Sequence, residues 1–592
     1  MSDREDAKAA LLAKLKSAPA KKTSDKGPPK PSAVEGFKEN SNFLRGEIAQ
    51  ELVDGKDFFG KGSIQLLKHH GTYQQDNRDD RAGGDGKSGK SFSFMVRTAL
   101  PGGKLNSAQL LAELDLCEEV GNGTLRITTR QGLQLHGVVK DDLKKTIRRI
   151  NEVQLTTLAA CGDVKRNVMS TPAPYKLDPV HRELQALAEK IAAHLTPRTP
   201  AYHEIWLTDQ TTDERTLVAG GKPEDIEPIY GKTYLPRKFK IGIGLPGDNH
   251  VDMYSQDLGL MAICEDFQIV GYNVLVGGGF GVTPSAKKTY PAVAQPLAHV
   301  SPAQVIDVST AVMKVQRDFG NRSDRKVARL KYTIANMGLD AFRVKVEEYF
   351  GTKLEPPRPI EVFGHDDGMG WHEQGDGLWF YGLNVENGRI KDEGDFRLKS
   401  ALREICTTIA PEIRLTAHQS IIFADVDQAD IPRLEEILKR HGVPLSCEIS
   451  NARRWSMACP ALPTCGLAVT ESERVLPGII SHLEQELDLL GLGDEVFTLR
   501  MTGCPNGCAR PYNSDIGLVG KTAGKYTIFL GGRVFGDRLN TLYKDLVPAE
   551  EVVTSLIDVF KYFKADRKPG ESFGDFCHRK GVEDLLARAD AQ

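Results

Sequence analysis

The chain has 592 residues, a net charge of −3, and 27% charged side chains. That length implies several domains and large buried cores, and the near-neutral balance gives no global pull toward nucleic acid or membrane. No apolar run approaches the ~20 residues that a membrane span needs.

Residues 1–40 read as a disordered tail. APAKKTSDKGPPKPSAVEG is rich in Lys, Pro, Ser and Gly and cannot build a core, and AKAALLAKLK ahead of it has the spacing of one short amphipathic helix. The first residues carry acidic side chains and no apolar signal core, which argues against a targeting peptide. Ten cysteines, clustered rather than spread, suit a reducing compartment, so a cytoplasmic location is expected.

Residues 41–155 turn globular. Ser91–Arg97 alternates like a strand, LNSAQLLAELDLCEEVG has helical spacing, Leu125–His136 reads as a second strand and DDLKKTIRRINEV as a second helix. This order and these lengths predict a small ferredoxin-like α+β unit. Gly84–Ser91 matches the phosphate-loop pattern G-x4-G-K-S. Its polar approach and the strand-like run after it predict a loop without nucleotide chemistry.

Residues 156–355 form a further α/β stretch, with a long helix through SPAQVIDVSTAVMKVQRDFG, and the Pro-rich run at Leu354–Ile360 marks a junction. Residues 356–435 then repeat the first unit. LRITTRQGLQLHGV (125–138) aligns with IRLTAHQSIIFADV (413–426), and Phe239–Leu260 aligns without a gap with Phe497–Leu518 in the last segment, 436–592. The duplication predicts a pseudo-twofold molecule of mixed α+β class. It is asymmetric in one respect, because Cys504 and Cys508 fall opposite Pro246 and His250.

Cys459 and Cys465 form a C-x5-C pair, and Cys504 and Cys508 a C-x3-C pair, among helix-breaking Pro and Gly residues. Four converging thiolates suit zinc or an iron–sulfur cluster, and neither spacing matches the C-x2-C knuckles of zinc ribbons. SMACPALPTC together with RMTGCPNGCARPYNSDIGLVGK resembles the cluster signature of the sulfite and nitrite reductases that pair a [4Fe–4S] cluster with siroheme. The resemblance runs from about Leu44 to about Lys580.

The resemblance has specific implications. The fold would be a duplicated one, with paired ferredoxin-like half-domains (41–155 and 356–435) and two α/β domains holding siroheme and cluster. Cys459, Cys465, Cys504 and Cys508 would bind the cluster, with Cys508 also the axial ligand of the siroheme iron. Arg126, Arg130, Gln131, Gln134, His136, Arg317, Asn321 and Arg322 would hold the siroheme rim, where an Arg fork binds carboxylates bidentately. Asn506 and the amides near Gly503 and Gly507 would tune the cluster through bonds to sulfur. Arg97, Arg166, Lys238 and Lys240 would face the substrate anion. Lys238 and Lys240, two apart on a strand, point the same way, and their like charges lower each other's proton affinity.

The implied reaction is the six-electron reduction of sulfite to sulfide, in an assimilatory role. Lys240, where nitrite-preferring relatives tend to carry Asn, favours sulfite over nitrite. Ferredoxin-dependent nitrite reduction to ammonia and a cluster-only electron carrier are the alternatives. No flavin or nicotinamide motif is evident, so electrons would come from a separate protein, either an NADPH-using flavoprotein or a ferredoxin. Some family members link a Tyr to a Cys near this site, for which Tyr73 and Cys161 are the candidates here.

Overall fold

The computed structural model describes residues 29–81, 89–202, 205–209, 211–212, 214–219 and 227–589. The first unit contains β1 (Thr72–Asp76), β2 (Phe92–Thr98), β3 (Lys104–Asn106), β4 (Leu125–Ile127) and β5 (Leu133–Val138), with helices Ser107–Glu119 and Leu143–Glu152. The Asn106 side chain accepts from the Gln109 amide while the Gln109 side chain reaches back, a capping box that fixes the first helix start. A second sheet comes next, from β6 (Lys165–Ser170), past the hairpin β7 (Ile205–Thr208) and β8 (Arg215–Ala219), to β9 (Phe239–Gly244), β10 (Leu258–Glu265), β11 (Gln268–Val276) and β12 (Gln295–Val300).

The pattern then repeats. It runs through β13 (Gly370–Glu373), β14 (Trp379–Leu383), β15 (Arg389–Ile390), the short pair β16 (Asp392–Glu393) and β17 (Phe396–Arg397), β18 (Glu412–Leu415) and β19 (Ile421–Val426). β20 (Ser456–Ala458), β21 (Leu499–Thr502), β22 (Ile516–Thr522), β23 (Lys525–Leu530) and β24 (Thr541–Pro548) complete it. The sheet orders are β1-β2-β5-β4-β15, β13-β14-β19-β18-β3, β12-β11-β10-β9-β6 and β20-β21-β22-β23-β24. Each small sheet therefore takes its last strand from the other copy.

Register shows how closely the copies match. Leu258 pairs with Ile241 in the first copy and Ile516 with Leu499 in the second, the same partners under the gapless alignment. Asp257 accepts from the Lys240 amide, and its counterpart Asp515 accepts from the Thr498 amide. One hydrophobic core, from Leu105 and Ile127 to Leu415 and Phe423, spans both half-domains. At the swap the backbones nearly touch: a Cβ on Gly103 would collide with the Leu415 carbonyl, and one on Gly388 with that of Ile127.

Two sequence expectations change. Residues 29–40 are not tail: Ala33–Glu39 is helical, and Lys38 is fully buried, donating to the Leu235 carbonyl at 2.7 Å and pairing with Glu35 and Asp163. Burying an amine beside two carboxylates ties this helix to the α/β core, a long-range contact invisible in local composition. Residues 1–28 lie outside the described residues. Leu125–His136 is a hairpin rather than one strand, because Gln131 adopts φ 51° and Thr128 N–H closes on the Gly132 carbonyl. Residues 84–88 of the phosphate-loop look-alike lie outside the described residues, and the strand-like run expected after it is β2.

The Gln131 side chain is structural. Its Oε1 accepts from Ser170 N–H at 3.0 Å and its Nε2 donates to the Ser170 and Leu415 carbonyls at 2.8 and 3.0 Å. Gln419 does the same in the other copy, between Ala458 N–H and the Asn387 carbonyl. Gln131→Ala should therefore lower stability by about 3 kcal/mol, since it leaves buried backbone groups unpaired. The urea midpoint of the unfolding transition reports it.

Candidate active site

The β4–β5 hairpin, the 161–166 loop, β9 and the cysteine loops meet at the seam between the copies. Arg97 on β2 donates to Gln134 Oε1 at 2.9 Å and to Cys161 Sγ at 3.1 Å. Gln134 Nε2 lies 2.9 Å from His136 Nε2, and His136 Nδ1 lies 3.2 Å from Gln75 Oε1. With Gln134 Oε1 accepting from Arg97, its amide donates to His136, which leaves the His136 proton on Nδ1 for Gln75. Burial, reinforced by Arg389 and Arg126, holds that imidazole well below its usual proton affinity, so it stays neutral. Gln134 and His136 thus orient Arg97.

Arg166, in β6, donates to the Gly162 carbonyl at 3.1 Å and to Tyr73 Oη at 3.2 Å. Tyr73 and Cys161 therefore flank the Arg97–Arg166 pair, and Cys161 forms no disulfide. Lys238 and Lys240 bracket the buried Phe239 at the start of β9. Burial, then Arg329 and other cations, pushes the Lys238 amine down to about 7 against the pull of Cys508. Lys240 is pushed well below its ordinary value by burial, then by Lys238, Arg130 and Arg329, and it too feels Cys508. Both lysines are thus drawn electrostatically by Cys508.

Arg126 is 1% exposed, donates to the Ala458 carbonyl at 2.9 Å and pairs with Glu473. Arg130 donates to Gln256 Oε1 at 2.7 Å and to the Asn167 and Ile241 carbonyls at 2.5 and 3.0 Å, while its Nε has no partner. It braces the hairpin tip beside Lys240.

Three predicted rim residues are used elsewhere. Arg317 pairs with Asp318 and donates to the Ile229 carbonyl at 2.6 Å. Asn321 accepts from the Ser323 and Asp324 amides at 2.9 Å in a turn. Arg322 pairs with Glu35 and donates to the Tyr234 and Arg317 carbonyls, anchoring the N-terminal helix. Farther along the segment, Arg329 and Lys331 lie near Lys238. Arg329 pairs with the fully buried Asp257 at 2.6 Å, and Lys331 donates to the Gly279 carbonyl at 2.8 Å. Arg237 and Arg329 both act on Lys238. Their signal was the cation density of LPRKFK and RKVARLK, which helical spacing alone does not resolve.

Cys459 and Cys504 are buried, Cys465 is half-buried and Cys508 is exposed. Burial first, then Cys508, raises Cys459 to about 12 and Cys504 to about 11. The thiols sense one another, yet no three His, Cys, Asp or Glu side chains among the described residues close on a single-ion site. A four-iron cluster spreads its ligands over separate corners, and the donors fit it. Gly503 N–H donates to Cys459 Sγ and Asn506 Nδ2 to Cys504 Sγ, each at 3.4 Å, and the Leu467 and Ala468 amides face the Cys465 sulfur. Thr129 Oγ1 donates to the Cys508 carbonyl at 3.1 Å. Arg510, held by Asp252, donates to the Thr129 carbonyl at 2.8 Å, so the cysteine loop and the hairpin are locked together.

A duplicated mixed α/β fold with four thiols beside a pocket of converging cations defines a redox enzyme for a small anion. The comparisons narrow this. Residues 187–354 and 451–592 match the nitrite and sulphite reductase 4Fe–4S domain, and 85–153 and 372–441 the nitrite/sulfite reductase ferredoxin-like half domain. The sulfite reductase [NADPH] hemoprotein beta-component of Staphylococcus haemolyticus is 46% identical, over 93% of this chain and 95% of that protein. The sulfite reductase [ferredoxin] of Synechococcus elongatus is 44% identical, over 94% and 91%. The solved NirA protein of Mycobacterium tuberculosis is 25% identical with a TM-score of 0.75, covering 94% of this chain and 98% of that one. The chain belongs to the nitrite and sulfite reductase family, whose cofactors are siroheme and a [4Fe–4S] cluster.

In the cofactor-free chain Lys238 should titrate near 7. Competitive acetylation followed across pH should label it with a midpoint near 7 rather than near 10. The lowered folded value means that the unfolded chain binds more protons between about 7 and 10.5, so this group's contribution to stability rises with pH across that window.

Proposed function

We propose that this chain carries out the six-electron reduction of sulfite to sulfide in sulfur assimilation, and that Arg97, Arg166, Lys238 and Lys240 are its substrate-facing residues. The observation that carries the reading is the pair Lys238 and Lys240 set against Cys508 with no carboxylate among the strongest influences on either. When bound, siroheme and the cluster supply single electrons to an anion held in this pocket. Cys459, Cys465, Cys504 and Cys508 would hold the cluster, with Cys508 shared with the siroheme iron. Arg126 and Arg130, with Arg329 and Lys331 from the segment farther along, would meet siroheme carboxylates.

The remaining chemistry belongs to this chain's side chains. Arg97 and Arg166 are oriented by Gln134 and by Tyr73 and the Gly162 carbonyl, so their guanidinium groups are fixed before an anion arrives. Lys238 and Lys240 gain proton affinity when an anion enters. They then hold ammonium protons at the sulfite oxygens and release them as those oxygens leave as water. Two lysines suit a dianion better than one.

Electrons would come from a separate protein. Relatives are named both for NADPH and for ferredoxin as donor. No helix among the described residues is long and apolar enough to cross a membrane, and we place the enzyme in the cytoplasm on its free cysteines.

Protein loaded with siroheme should show a Soret and a long-wavelength chlorin band that shift when sulfite is added to the reduced form. Lys240→Ala should cut kcat/KM for sulfite about 100-fold or more, and Lys240→Asn should move the sulfite-to-nitrite ratio toward nitrite. A Lys240→Asn ratio equal to wild type would remove Lys240 from substrate choice. A wild-type preference for nitrite would favour the nitrite-to-ammonia reading. For the Tyr73–Cys161 thioether, a tryptic digest should lack the unmodified Cys161 peptide, and finding that peptide at full yield disproves the link.

A further inference from the structure

Both guanidinium groups of the proposed anion pocket rest on one short loop. Arg166 Nε donates to the Gly162 carbonyl at 3.1 Å, and Arg97 donates to Cys161 Sγ at 3.1 Å. That loop in turn rests on His69, a buried residue in the turn that leads into β1.

His69 meets the loop at three points. Its carbonyl accepts from Ala159 N–H at 2.8 Å, and its Nε2 accepts from Asp163 N–H at 3.2 Å. Its ring leaves no room for a side chain at Gly162, where a Cβ would sit 2.8 Å from Cγ and Cδ2 and where φ is 92°. The same turn also reaches the other arginine, because Arg97 N–H donates to the Gly71 carbonyl at 3.0 Å. The Asp163 side chain is occupied elsewhere, taking two bonds from Arg325 at 2.7 and 3.0 Å, so His69 holds this residue by its backbone.

These bonds fix the state of the ring. An amide donor at Nε2 requires a lone pair there, so the imidazole is neutral and carries its proton on Nδ1, which lies 3.3 Å from the Leu66 carbonyl. Burial agrees, driving this imidazole down to about 3 against the pull of Asp163. The geometry of the bonds matters more. The Gly162 carbonyl and the Asp163 N–H belong to one planar peptide unit, which His69 grips at the N–H end and Arg166 at the carbonyl end. Fixing one end fixes the direction of the other.

We propose that His69 is a positioning residue for the substrate-facing arginines: as an acceptor on the Asp163 amide it aims the Gly162 carbonyl at Arg166 Nε and keeps Cys161 within reach of Arg97. The proposal rests on the reductase reading above. It makes His69 a determinant of anion affinity that never touches the anion, since a small displacement of a charged group in a closed pocket is costly.

The test uses the full, cofactor-loaded chain and compares wild type with His69→Phe, which keeps a ring and deletes the acceptor, and His69→Gln, whose Oε1 can replace Nε2. Deuterium exchange of the peptide spanning 160–166 should speed up about tenfold in His69→Phe and stay within about threefold of wild type in His69→Gln. The sulfite dissociation constant, read from the Soret shift of the reduced protein, should rise about tenfold in His69→Phe and stay within about threefold of wild type in His69→Gln. In an Arg166→Ala background, His69→Phe should weaken sulfite binding by less than about twofold more, because the group through which it acts is gone. Should His69→Phe fail to fold, Gly162→Ala presses a Cβ onto the same ring and carries the same expectations. Unchanged sulfite affinity in His69→Phe overturns the proposal whether or not exchange rises, and so does a full tenfold effect of His69→Phe in the Arg166→Ala background. A wild type that shows no sulfite shift and no viologen-driven sulfide sinks the reductase reading instead, and exchange then decides alone whether His69 anchors the loop.

Discussion

The structure depends on holding like charges together where water is scarce. Two unit charges 4 Å apart repel by about 4 kcal/mol at an effective dielectric of 20. Arg126 is pressed by Arg389 and Arg97, Arg130 by Arg166 and Arg329, and Lys238 and Lys240 by Arg329. A chain of net charge −3 hides this concentration. It is tolerated because anionic groups brace the frame around it: Asp257 on Arg329, Glu473 on Arg126, and Asp252 on Arg500 and Arg510. Removing one of these carboxylates would leave a buried cation uncompensated, a heavier loss than breaking a surface pair.

Duplication supplies the frame, and departures from symmetry supply the chemistry. The two copies share strand order and register, and even the bonds made by Gln131 and Gln419. The exceptions cluster at the seam. Arg130 of one copy corresponds to His418 of the other, and Cys508 corresponds to His250. His250, His365 and His418 stack on one another with ring centroids 4.8–5.4 Å apart, and His365 also packs on Trp455. Burial holds all three below their usual proton affinity, so they form a neutral, packed plug where the other copy keeps thiols and cations. Asp252 and Arg510, counterparts under the same alignment, pair with each other across the pseudo-twofold. The symmetric frame thus holds one polar centre and one closed one.

Much of this was legible in the sequence, for physical reasons. Strand alternation and helical spacing are local, so Phe92–Thr98 and Val305–Phe319 stand where periodicity puts them. The internal repeat gave the pairing of halves because register is a one-dimensional property. Cysteine spacing with Pro and Gly marked the cluster loop. What sequence misses is the direction a long cationic side chain takes. Arg317 and Arg322 look no different from Arg329, yet the first two turn toward Asp318 and Glu35 and the third toward Asp257. The partner that decides lies far away in the chain, as Lys38 with Asp163 also shows. The left-handed turn at Gln131, which folds one apparent strand into a hairpin, is fixed by bonds to Ser170 and Leu415 that no local rule contains.

In the proposed reaction the depressed lysines would bind electrostatics to turnover. In the chain by itself Lys238 and Lys240 are destabilised as ammonium groups by burial and by their cationic neighbours. An anion that reaches them relieves that penalty, so anion binding and proton uptake favour each other, and linkage makes the effect reciprocal. The pocket would therefore collect protons because it has collected an anion. As oxygens leave as water and negative charge drains from the substrate, the same repulsion returns and favours release of the protons. A pocket of ordinary, solvated lysines would attract sulfite as well but would hold its protons regardless of what was bound. In the proposed role the buried pair would tie protonation to the presence and charge of the substrate, as a reduction that consumes electrons and protons together requires.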